Sequence, residues 1–159
     1  MPHQGGRMTA FLLSVHVLAA ILTIGPVAIA ASMFPPALAA AAQDPEDTRK
    51  TAGVAILHRI TRVYAVIGIL VPVFGVATAA SLGVLTDAWL ITSMTLTAAA
   101  AVILIAIILP GQRRGLDSLS TAAATGAGRR LAAATGVFNL LWAIVVVLMV
   151  YRPGSTTGV

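Results

Sequence analysis

The sequence contains no cysteine, which excludes disulfides, iron–sulfur clusters and thiolate zinc sites. It is also short of charge. Five acidic and ten basic side chains make 9% of 159 residues, where a soluble domain carries about 25%. Aromatic residues make only 5%. No Asp, Glu, Lys or Arg interrupts the middle of any of four long apolar runs, so a carboxylate pair for intramembrane proton transport has no place to sit. Neither an H-E-x-x-H motif nor a C-x-x-C-H motif occurs, which excludes a zincin and a covalent c-type haem. What the chain does have is apolar side chains, at 58% and a mean hydropathy of +0.97. One soluble core of this length does not bury so much apolar surface.

A membrane helix needs about 20 apolar residues to cross about 30 Å of hydrocarbon. The four runs, at about 9–33, 63–85, 88–109 and 131–151, predict a single all-α domain over 1–159, a four-transmembrane-helix bundle. Pro35-Pro36, Pro110-Gly111 and Pro153-Gly154 read as stops after the first, third and fourth spans. Arg49, Lys50, Arg59 and Arg62 lie between the first two spans, and Arg113, Arg114, Arg129 and Arg130 between the last two. Only Arg7 and Arg152 fall elsewhere. The positive-inside rule then predicts an up-down-up-down order with the basic loops in the cytoplasm and both termini outside. The basic charge is thus an orientation signal and a contact for anionic lipid headgroups. Divided between two loops with few aromatic neighbours, it does not read as a nucleic-acid surface. Arg7, the following apolar run and Ala28-Ile29-Ala30 look like a cleavable leader. Cleavage would put the second basic loop outside, so the first span is expected to be retained.

Between the first two spans, Asp44-Pro45 is expected to cap an amphipathic helix over about 45–62, with Gly53 as its weak point. The next connection, at Thr86-Asp87, is a tight turn, which predicts that spans two and three are packed antiparallel neighbours. In the third loop, Leu116-Asp117-Ser118 is expected to start a short helix that Gly126 and Gly128 would break. Gly75, Ala79 and Gly83 form a small-residue face on span two, suited to packing within the monomer or to a homodimer seam. Pro72 and Gly25-Pro26 should kink their helices.

Few side chains remain for chemistry. His16 lies inside span one, where an ionisable residue is a functional candidate by default. At 1.5 Å per residue it sits about 10 Å deep, far from His58 at the other surface, so the two are not axial ligands of one haem. Met94 reaches a depth similar to that of His16, and His with Met is an axial pair for b-type haem. A haem, quinone or porphyrin would lie among His16, Met94, Gly75 and Ala79. The competing reading has His16 bonded to a neighbouring hydroxyl or carbonyl and Met94 as packing. His58, Arg59 and Arg62 form a headgroup-level cluster for a phosphate, propionate or acidic lipid, or simply snorkel. Asn139 is expected to bond across helices. Trp142, Trp89, Tyr64 and Tyr151 read as interface anchors.

The run from Phe11 to Gly25, with His16 followed by apolar residues and a glycine, resembles the first span of small four-span bacterial integral membrane proteins of unknown function. It is more distantly similar to the copper-resistance D membrane domain and to the four-span bacterial protoporphyrinogen oxidase. His58-Arg59 before span two is similar to a leucine, histidine, arginine stretch of such proteins. The resemblance implies a bacterial plasma-membrane bundle and, through the oxidase, haem ligation at His16. The oxidase also has a lysine in its third span, whereas this chain has none between Ala88 and Leu109. No cluster of Met and His matches the copper-handling proteins. Accordingly, the expected function is that of a non-enzymatic accessory or scaffold protein, with a haem- or porphyrin-binding redox protein as the alternative.

Overall fold

A computed structural model describes residues 3–119 and 124–154. All regular structure among them is helical: α1 (His3–Gln43), α2 (Thr48–Ile67), α3 (Leu70–Leu82), α4 (Ala88–Val102), a π-helical segment (Ile103–Ile108), α5 (Leu109–Asp117) and α6 (Ala124–Tyr151). α2 with α3, and α4 with the π segment and α5, form two continuous rods. With α1 and α6 they make four helices long and apolar enough to cross a membrane. Large apolar side chains such as Ile21, Leu22, Val66, Ile105 and Val150 stand exposed on their outer faces. This chain therefore reads as a multi-pass membrane protein, with lipid in place of water around that belt.

Of the three expected stops, Pro153-Gly154 does follow the end of α6 at Tyr151, but Pro35-Pro36 and Pro110-Gly111 do not stop their helices. α1 carries Pro26, Pro35 and Pro36 and still runs to Gln43. A proline costs one backbone hydrogen bond, but packing against neighbouring helices keeps the rod together. The residues flanking Pro35-Pro36 are among the best packed of the chain, with Phe34, Leu38 and Ala41 fully buried against Val54 and Leu131. Pro110 is absorbed differently. In an α-helix its ring would press on the carbonyl four residues back. The preceding segment takes the wider π register instead, with the Leu109 N–H reaching the Leu104 carbonyl, and α5 continues to Asp117. Leu116-Asp117-Ser118 thus ends a helix where the sequence suggested a start. α6 begins at Ala124 and passes through Gly126 and Gly128 unbroken. The rest of that expected loop, residues 120–123, lies outside the described residues, as does 155–159.

The cap before α2 also shifts. Asp44-Pro45-Glu46 is a turn, with the Asp47 N–H donating to the Asp44 carbonyl at 3.1 Å. Asp47 is the N-cap, accepting from the Arg49 and Lys50 backbone N–H groups. Lys50 leans back to Asp44 at 3.2 Å. Gly53 does not interrupt α2. Gly83 does not continue the small-residue face: at φ +71° it terminates α3, and the Val84 N–H donates to the Ala79 carbonyl.

Spans two and three are joined by a tight turn but do not pack along their length. The two partners of α1 are α2–α3 on one side and α6 on the other; α4 packs on α6. Contact between the rods lies at their two ends, next to the turn, where Ala79, Val84, Trp89 and Leu90 cluster, and where α2 meets α5. Close approach of α1 to α3, and of α4 to α6, draws the two rods apart between those ends.

Candidate functional site: an apolar cavity and two histidine clasps

A cavity of about 130 Å³ fills the space left between the rods. Every span contributes: Ile24 and Val27 from α1, Tyr64 to Pro72 around the α2–α3 junction, Thr97 to Ile105 around the start of the π segment, and Phe138 with Trp142 from α6. The floor is buried, with Val27 and Phe138 each 1% exposed. Ile69, Ala101 and Ile105 are exposed at the mouth. Two of the four walls lose regular α-helix at this level, and a third carries a proline. Pro26 sits in α1, the α2–α3 rod breaks at Gly68-Ile69 ahead of Pro72, and the π register begins at Ile103. Irregular backbone at such depth is tolerated where it lines a cavity, and π-bulges gather at functional sites.

Tyr64 and Trp142, which the sequence suggested as interface anchors, line this wall. The Trp142 ring stands edge-on to Phe138 at 6.4 Å, and its buried Nε1–H has no acceptor. Two further buried atoms on the same helix lack partners, Thr135 Oγ1 and Asn139 Oδ1. Asn139 Nδ2 donates to Ser32 Oγ of α1 at 3.1 Å. Trp89 is 6% exposed, donates to Asp87 at 3.0 Å and lies under the Arg152 guanidinium at 5.7 Å. Tyr151 is 77% exposed.

His16 sits about two turns along α1 from the cavity. Its Nδ1 lies 2.9 Å from the Val71 carbonyl. A carbonyl only accepts, so this nitrogen carries the proton and the Nε2 lone pair stays free. The ring rests on Gly75, where an added Cβ would stand 2.9 Å from Cε1. Thus glycine is required there by close approach of an aromatic ring. A porphyrin has no gap beside His16 on that side. Met94 is 44% exposed on α4, whose main partner is α6, and the cavity wall holds neither histidine nor methionine.

His58 enters a second clasp. Its Nδ1 meets Gln112 Oε1 at 3.1 Å, while Gln112 Nε2 donates to Thr61 Oγ1 at 3.3 Å and Thr61 donates to the Leu57 carbonyl at 2.9 Å. Because the Thr61 proton is already committed, the amide orientation is fixed and His58 Nδ1 is the donor. Gln112 and Thr61 are both 0% exposed. The clasp ties α2 to α5. Gln112 was hidden in the sequence, in a polar stretch that read as loop. The one signal available was the amphipathic spacing of Gly111 and Gly115, whose missing side chains admit Leu131 and Leu38. Arg59 and Arg62 lie exposed on α2, and Arg49, Lys50, Arg113, Arg114, Arg129 and Arg130 are exposed as well. Among the described residues, no group of three His, Cys, Asp or Glu side chains is placed to hold a metal ion. No family model matches the chain, and no curated protein or solved structure is found to be similar to it.

Proposed function

We propose that the protein is a small accessory or scaffold component of the bacterial plasma membrane, with its spans in up-down-up-down order, both termini outside and its basic end against anionic lipid headgroups. What supports this reading most is how the inner polar groups are spent. His16, His58 and Gln112 all bond to the bundle itself, so they hold helices together instead of presenting a reactive pair. A reporter enzyme fused after residue 159 is expected to be active outside, and cytoplasmic activity there reverses the orientation. On native electrophoresis after mild detergent extraction, the protein should migrate within a larger assembly. A lone monomer removes the accessory role, and a two-chain species points to a homodimer seam.

The second reading, a b-type haem or porphyrin redox protein, is favoured by one observation: the Nδ1–H to carbonyl bond leaves His16 Nε2 as a basic nitrogen, the arrangement of a ligating imidazole. Gly75 against the ring argues the other way. Protein purified after growth with added haem is expected to be colourless. A Soret band that disappears in His16→Ala replaces the scaffold reading with the haem one.

A further inference from the structure

We infer that the cavity between the rods is a binding site for a planar, lipid-soluble ring compound carrying a carbonyl-type hydrogen-bond acceptor, the chemistry of a quinone headgroup. The ligand enters sideways from the bilayer past Ile69, Ala101 and Ile105. Such a site does not depend on the scaffold role.

Size sets the first limit. An apolar cavity of roughly 150 Å³ stays dry and takes up a benzene-sized molecule, and this one measures about 130 Å³. Its aromatic walls, Tyr64, Phe138 and Trp142, suit the face or edge of a flat ring. Chemistry sets the second limit. Ser14, Thr23, Thr61, Thr78, Thr92, Ser93 and Thr95 all donate to the carbonyl four residues back, as hydroxyls in an apolar medium should. Thr97 does not, although it lies in the same helix as Thr92, Ser93 and Thr95. The two hydroxyls of the wall, Thr97 and Tyr64, make no hydrogen bond to the protein among the described residues. The Nε1–H of Trp142 also lacks an acceptor, but it is sealed beneath the wall and does not open onto the cavity. A bare hydrocarbon chain would leave both hydroxyls unpaired, and the apolar walls disfavour water. A ring bearing an acceptor satisfies both the walls and the donors. Access is supplied by the parting of the two rods, which places exposed residues at the mouth and fully buried ones at the floor.

The test uses the full chain in phosphatidylcholine nanodiscs with Trp89→Phe, which leaves Trp142 as the sole tryptophan. Titration with ubiquinone-1, a benzoquinone bearing one isoprene unit, is expected to quench Trp142 emission along a saturating curve. Ala101→Phe, plugging the mouth, should weaken that binding on the order of tenfold. The Thr97→Val, Tyr64→Phe pair, which removes the hydroxyls and keeps the walls, should weaken it by a similar factor. It should leave competition by p-xylene, a ring without an acceptor, unchanged. Linear quenching that is equal with and without Ala101→Phe overturns the site, because it reports partition into lipid alone. Quinone affinity unchanged in the Thr97→Val, Tyr64→Phe pair overturns the acceptor. Displacement by hexadecane as effective as by the quinone overturns the ring, since the occupant would then be a lipid chain.

Discussion

Glycine 75 is where a single missing carbon holds two helices at the right distance. Its hydrogen lets the His16 ring lie flat on α3 and reach the Val71 carbonyl. Gly75→Ala should therefore destabilise the bundle by about 1–3 kcal/mol, the usual cost of overpacking. His16→Ala removes the obstacle, so the double variant should be more stable than the sum of the single losses implies. Thermal unfolding in detergent of the four proteins checks this, and strict additivity would show that the ring and the glycine do not touch. Gln112 makes the opposite case, a polar side chain that the interior needs. Gln112→Leu keeps much of the volume but strands the His58 Nδ1–H, which should cost about 1–3 kcal/mol. A melting temperature equal to that of the parent would count against the clasp. Neither residue was fully legible in the sequence. His16 stood out because an imidazole in an apolar run is rare. Its partner is a backbone carbonyl that every residue possesses, so no sequence pattern marks it. Gln112 bonds to residues more than fifty positions away and sits after a Pro-Gly pair that signals a helix end.

Helix ends and helix interruptions carry the next set of consequences. The four rods were legible from hydropathy and length alone, because lipid leaves few alternatives to a helix. Their punctuation was legible only at the end of α6, ahead of Pro153-Gly154. Pro35-Pro36 and Pro110-Gly111 stop helices in water, where freed carbonyls gain solvent; inside this bundle, packing and a π turn carry the chain through. A π turn amounts to one inserted residue. Deleting Ala106 together with Pro110→Ala should return the segment to α register and leave both flanks in place. Such a variant should express and unfold like the parent, whereas deletion of Thr95 should abolish folding. Equal damage from both deletions would contradict the single-insertion geometry. At the start of α2, the backbone N–H groups of Arg49 and then Lys50 hold the Asp47 carboxyl below the usual carboxylate range. A carboxylate with a depressed pKa adds stability above its unfolded value, near 3.9, and loses it as pH falls through the lowered one. The difference in melting temperature between the parent and Asp47→Ala should thus be full at neutral pH, shrink as pH falls below the unfolded value of about 3.9, and vanish only in acid below the lowered one. A difference that persists there would mean that the cap does not act through the ionised carboxylate.

On the scale of the whole molecule, the arrangement of the rods was the least legible feature. A short turn between two apolar spans predicts that they pack side by side, yet α3 turns to α1 and α4 to α6. The reason lies in what each face offers: α3 presents Gly75 to His16, while Ala100 and Leu104 meet Phe138 of α6. Polar ties across the middle of the chain run through His58–Gln112, Gln112–Thr61 and Asn139–Ser32. The connection at Gly83–Asp87 is therefore a tether and not a support. It does not carry the union of α1 with α6, nor that of α2 with α5. Two separate polypeptides, 1–85 and 86–159, should find one another in the same membrane and rebuild the molecule, with the first pulled down by a tag on the second. Failure to co-purify would mean that the turn is structural after all. Success would make the protein a heterodimer in all but its genetics, two hairpin-sized pieces whose covalent link serves stoichiometry more than shape.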